Sequence, residues 1–197
     1  RARELERSGL ELAERHLGAD HEQTLRTVGL LSSTYGRFGQ HQRQLEVAQQ
    51  AYARAQQVLA PRRPDLTLTH VERWYAEALR DNGRPGDATA IFRRVLEDQR
   101  ALDGADTQRV RTEMVQLGVA LGETGQLEEA LKHLRDAVAL EARQNNADNE
   151  DRRSLVAALA GALGYARRAE EAQAQYDNMR LLVRPLSVDA PLSQVGR

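Results

Sequence analysis

The residue types able to do chemistry are present but scattered. Five histidines, His16, His21, His41, His70 and His133, are the side chains that titrate nearest neutral pH and bind metals most readily. No two of them stand three or four residues apart, and there is no His-Glu-x-x-His string. The chain holds no cysteine, so thiolate metal sites, disulfides and a cysteine nucleophile are excluded. Carboxylates come in pairs, Glu128-Glu129 and Glu170-Glu171, but each pair follows a turn at the start of a helical segment. Negative charge there favours the helix dipole, worth roughly 0.3–1 kcal/mol each. Ser32-Ser33 has no His or Asp at helical spacing. The run Gly118 to Gly125 has neither the glycine spacing of a dinucleotide loop nor the Lys-Ser/Thr of a phosphate loop, and no strand precedes it. Helix packing and helix termination explain its glycines. No catalytic residue, metal or cofactor is expected, and the chain reads as non-enzymatic.

The elements that would position any site are helices. The 197 residues carry 28 Lys+Arg against 29 Asp+Glu, a net charge of −1, which lacks the basic field of a nucleic-acid binder. Mean hydropathy is −0.64, and no apolar run approaches membrane-spanning length. Aromatics are 4%, while Ala, Leu, Arg, Glu and Gln, all good helix formers, dominate. Lys132 is the only lysine, which reads as the bias of a GC-rich bacterial genome. The chain starts at Arg1 with no signal-peptide pattern, as expected of a cytoplasmic piece of something longer.

An internal repeat organises the helices. The strings Gly104-Ala105-Asp106 and Asn146-Ala147-Asp148 lie 42 residues apart, and Gly18-Ala19-Asp20 lies 86 before the first of them, about two such steps. Pro61 to Asp65 punctuates the interval between. Gly or Asn suits the left-handed conformation that ends a helix, and Asp is expected to cap the next. A second break falls inside each interval: Gly36 to Gly39, Asp81 to Gly86, Glu123 to Gln126 and, more weakly, Gly164 to Arg167. Each interval is therefore a pair of tightly joined helices. Met114, Leu117, Gly118 and Leu121 form a helical stripe continued by Ala130, Leu134 and Ala137. Tyr75, Ala76, Leu79, Ala88, Phe92 and Val95 repeat it, as do Val156, Leu159, Ala160, Leu163, Ala172, Tyr176 and Met179. In the first unit Val28, Leu31 and Tyr35 align with Ala48, Tyr52 and Ala55 only if about four residues are added around Gln40 to Gln44, which predicts a second helix one turn longer.

This alternation of Leu, Gly/Ala and Tyr/Leu with Ala, aromatic/Leu and Ala resembles the tetratricopeptide repeat. The spacing near 42 resembles its kinesin-light-chain subtype, as does Leu17-Gly18-Ala19-Asp20-His21-Glu22-Gln23-Thr24-Leu25, which departs from that subtype's linker at Glu22, usually Pro. The resemblance implies an all-α, right-handed α-solenoid of antiparallel helix pairs. Residues 1–17 read as the second helix of a truncated preceding repeat, four pairs follow at about 20–60, 65–103, 106–145 and 148–181, and 182–197 is a Pro-containing tail or linker.

The resemblance further implies a concave wall lined by the first helix of each pair. That places Arg26, Leu30, Ser33 and Arg37 on the wall, with His70, Arg73, Trp74, Glu77 and Arg80, then Thr112, Gln116, Val119 and Glu123, and Ser154, Ala158 and Gly161. Arg37, Arg73 and Arg80 carry forked donors that suit carboxylates, or else pair with Glu77, Asp81 and neighbouring acids. Trp74 either anchors a ligand or fills the gap between pairs. The implied function is a non-catalytic scaffold for a protein or peptide within a larger bacterial regulatory or signalling protein. The alternative is a sensor gated by a peptide or small molecule that changes solenoid curvature. Self-association through the unmated N-terminal helix is a further expectation, with no role for nucleic acid or membrane.

Overall fold

The computed structural model describes residues 2–144, together with Ala157 and Gly161, which are helical. Among the described residues the chain is all-α: α1 (Ala2–Leu17), α2 (Glu22–Arg37), α3 (His41–Leu59), α4 (Leu66–Asp81), α5 (Pro85–Asp103), α6 (Gln108–Glu123) and α7 (Leu127–Gln144), with a 3-10 turn at Ala60–Arg62. Each helix packs on the next, and α2 also packs on α4. The result is a stack of antiparallel pairs, with α2, α4 and α6 as first helices and α3, α5 and α7 as second helices. Most of the expected fourth pair (148–181), including Ser154 and Ala158, and the tail (182–197) lie outside the described residues.

One turn is used three times. Gly39, Gly83 and Gly125 all have positive φ, a conformation a Cβ disfavours. The residue after each donates its N–H back to the last turn of the helix, as Arg84 N does to Leu79 O at 2.9 Å and Gln126 N to Leu121 O at 2.9 Å. These turns bring small residues face to face. A Cβ on Gly118 would lie 2.7 Å from Leu134 Cγ and 3.3 Å from the Ala130 carbonyl oxygen. Ala76 and Ala88, at the corresponding places of the preceding pair, are both fully buried.

Two local expectations need correction. The helices α3 and α5 each have 19 residues, so the first pair has no additional turn. Its buried stripe is Gln44, Ala48, Ala51, Ala55 and Leu59. Gln44 takes the place that Ala88 and Ala130 hold elsewhere. A polar residue is tolerated there because its side-chain amide donates to Asp81 Oδ2 at 3.0 Å while its backbone carbonyl accepts from Ser32 Oγ at 3.1 Å. The additional length of this unit falls after α3, in the 3-10 turn and the residues leading to α4. The caps also shift by one residue. His21 Nδ1 accepts from Gln23 N at 3.1 Å and Thr107 Oγ1 from Val110 N at 3.3 Å, in the role expected of Asp20 and Asp106. Asp65 does cap α4, accepting from Leu68 N at 2.9 Å.

The pairs are also tied by buried charge. Glu72 of α4 is fully buried, and its Oε1 accepts from Gln56 Nε2 of α3 at 2.6 Å, Arg63 Nη2 at 2.5 Å and Arg94 Nε of α5 at 3.1 Å. Arg63 also pairs with Asp98 of α5. Further along, Arg111 of α6 and Glu141 of α7, both buried, pair at 2.7 Å.

Candidate binding face

The first helices present equivalent positions in rows. Arg26, His70 and Thr112 form one, Leu30, Trp74 and Gln116 the next, then Ser33, Glu77 and Val119, and finally Arg37, Asp81 and Glu123. The two seams between these helices differ in chemistry.

Between α2 and α4 the seam is apolar. Trp74 is only 8% exposed and belongs to the buried cluster with Leu25, Val28 and Val71. Its ring occupies the space beside Gly29, where a Cβ would lie 1.7 Å from Trp74 Cε3. Of the two readings open for Trp74, the structure realises the gap-filler: the indole is part of the wall and does not project from it. The His70 ring lies 5.8 Å from it, centroid to centroid, and Arg73 Cζ lies 5.7 Å from its ring centroid.

Between α4 and α6 the seam is polar. Arg73 donates through Nη1 to Glu77 Oε1 at 3.0 Å and faces Glu113 Oε1 through Nε at 3.4 Å. Arg80 Nη1 donates to Gln116 Oε1 at 2.7 Å, and Nη2 lies 3.6 Å from Asp81 Oδ1. Arg73 and Arg80 are therefore each engaged by side chains within the wall. Glu113 is 4% exposed, and its Oε2 accepts no hydrogen bond. Burial raises its pKa to about 7, with Glu77 adding to the rise and Arg73 opposing it. Burial also raises Glu77, against the pull of Arg73 and Arg80, and raises Glu123 against the pull of Arg80. His70 moves to about 4, first through burial and then through Arg73, Arg26 and Arg109. It is neutral at pH 7.

The structure thus brings together Arg73, Glu77, Arg80 and Gln116 of the expected residues. Arg26 and Thr112 are exposed, Ser33 and Val119 are half-buried, and Leu30 is 55% exposed. Arg37 donates to Thr34 Oγ1 of its own helix at 3.1 Å. Glu113 is a wall residue that sequence patterning does not supply. Its signal in the sequence is an acid beside Thr112 on a helix whose stripe is otherwise apolar, facing an arginine forty residues earlier. Among the described residues no group of His, Asp or Glu is arranged to hold a metal ion, and no helix is long and apolar enough to cross a membrane.

Residues 66–141, spanning α4 to most of α7, match the tetratricopeptide-repeat model. No curated protein matches the chain. Among solved structures the chain is similar to a putative kinesin light chain from Podosopora anserina with nearly identical TPR-like repeats. The TM-score is 0.74 at 23% identity, over 92% of this chain and 85% of that one. BtubC (BKLC) from P. vanneervenii gives a TM-score of 0.75 at 18% identity, over 91% of this chain and 70% of that one. The apo form of RapI gives 0.69 at 15% identity, over 89% of this chain and 62% of that one. These likenesses concern the fold. Taken with the thrice-used turn and the helices stacked in pairs, the match makes residues 66–141 tetratricopeptide repeats, within a chain whose fold is similar to that of kinesin-light-chain-like arrays.

Proposed function

We propose that the array is a non-catalytic scaffold that binds a protein or peptide segment on the face of α2, α4 and α6, the concave one in arrays of this type. Leu30 carries the reading. It is a large apolar side chain, 55% exposed, on a wall whose neighbouring helices are held by buried contacts. One turn before it stands Arg26, exposed and without an ion pair among the described residues. An apolar contact next to an uncommitted guanidinium offers both desolvation and a directional charge to a partner, while the fixed wall lowers the entropy lost on binding. His70, neutral and half-buried, adds a polar contact in the same row as Arg26.

The test places a photo-crosslinking amino acid at Leu30 or at exposed Glu46 of α3 in the full chain. Capture from position 30 and not from 46 supports the face, and equal or reversed capture removes it. Leu30→Asp and Arg26→Glu are each expected to weaken the captured complex at least about tenfold without changing the melting curve.

A second reading, a sensor whose curvature responds to a peptide or small molecule, is favoured by the contrast between seams. The α2–α4 seam is filled by an indole, whereas long polar side chains bridge α4 to α6. Small rotations between neighbouring repeats accumulate along such arrays. Solution scattering that shows compaction on ligand addition selects this reading, and an unchanged profile with partner bound selects the scaffold. Leu12 and Leu17, exposed on α1, support self-association through that helix, which sedimentation over a concentration series tests. Both readings place the array within a larger bacterial regulatory protein acting in the cytoplasm.

A further inference from the structure

We infer that the α4–α6 seam receives a basic side chain, arginine or lysine, from the bound segment, seated against Glu77 and Glu113; this rests on the proposal that ligands occupy this face. The seam carries more acids than bases. Arg73 and Arg80 stand among Glu77, Asp81, Glu113 and Glu123. Arg73 is shared by two carboxylates, and Arg80 is divided between Gln116 and Asp81. The four acids therefore outnumber their cations when ionised.

One oxygen of the seam also lacks a partner. Glu113 is almost wholly buried, yet its Oε2 has no donor. A buried carboxylate oxygen without a hydrogen bond is among the more costly groups a fold can retain. Arg73 turns Nη1 to Glu77 and Nε towards the other oxygen of Glu113, Oε1, so it does not reach Oε2. A neutral donor would satisfy the oxygen and leave the surplus negative charge, whereas a guanidinium or ammonium group would correct both. Glu77, on the more open side of the pair, offers the incoming cation its first contact.

The charged groups that act on Glu113 are Arg73 and Glu77, both on α4; among the described residues no charged group of α5 or α7 acts on it. Seating a cation there ionises Glu113 and releases its proton, so binding of a basic segment strengthens as pH rises through about 7.

The experiment needs no knowledge of the natural partner. In the full chain, the Glu113 carboxyl is titrated by carbon-13 NMR with no addition, with tens of millimolar N-acetyl-arginine amide, with its neutral citrulline counterpart and with sodium chloride of equal ionic strength. The expected result is a midpoint lowered by about one unit or more with the arginine probe alone, accompanied by shifts of α4 and α6 amides. Glu77→Gln is expected to reduce the effect while Glu113 still titrates. A midpoint moved equally by citrulline or salt, or by no probe, overturns the inference. That failure is distinct from failure of the scaffold reading, which the crosslink at Leu30 decides by itself.

Discussion

Gly29 on α2 and Trp74 on α4 are complementary across their seam: the missing side chain of one is the room taken by the indole of the other. In an isolated helix Gly→Ala gains about 1 kcal/mol. Here Gly29→Ala is expected to lose about 1–3 kcal/mol through overpacking. Trp74→Leu in the same chain should recover part of that loss, and Trp74→Ala by itself should cost about 3–5 kcal/mol. Urea melts of the four proteins check the signs; an alanine at 29 that stabilises would contradict the packing.

Ala130→Leu probes the same kind of contact within the third pair. Ala130 is fully buried against the Gly118 side of α6, so the larger side chain should cost about 1–3 kcal/mol. An unchanged melting temperature would place the α6–α7 register elsewhere.

Glu72→Ala removes the acceptor on which Gln56, Arg63 and Arg94 converge. Arg63 and Arg94 keep some contact with solvent, so the expected cost is about 2–3 kcal/mol, that of losing charge-assisted hydrogen bonds. Glu72→Gln should cost less. Hydrogen exchange in α3 and α5 should rise in the alanine variant, because the network ties those two helices through α4.

Two wall residues should oppose each other in the pH dependence of stability. Glu113 is raised from 4.5 to about 7, so its contribution is fully present below pH 4.5 and is lost as pH rises through 7. His70 is lowered from 6.5 to about 4, so its contribution is present above pH 6.5 and is lost as pH falls through 4. Relative to the parent protein, Glu113→Gln should therefore gain stability as pH rises from 4.5 to 7, and His70→Asn should gain as pH falls from 6.5 to 4. Melting temperatures across that range test both, and a parallel offset at every pH for either variant would count against its titration.

The helices, their turns and their pairing are readable from the chain because each depends on neighbours in sequence. Apolar side chains recur at helical spacing from Met114 to Leu121, Gly83 and Gly125 stand where φ must be positive, and small residues such as Gly118 and Ala130 mark close approach. The register of α3 comes out four residues off by pattern alone, because Gln44 sits where the pattern leads one to seek alanine and its polar partner Asp81 is 37 residues away. The wall is half legible in the same sense. Its positions follow from periodicity, but which of its side chains are free follows from contacts between helices some forty residues apart. Trp74 is buried because Gly29 lacks a side chain, and Arg73 is committed because Glu113 lies opposite. Local pattern can say that a residue faces a neighbouring helix, whereas whether it meets a gap, an acid or solvent there depends on how two distant helices are staggered, and that is settled only when they pack.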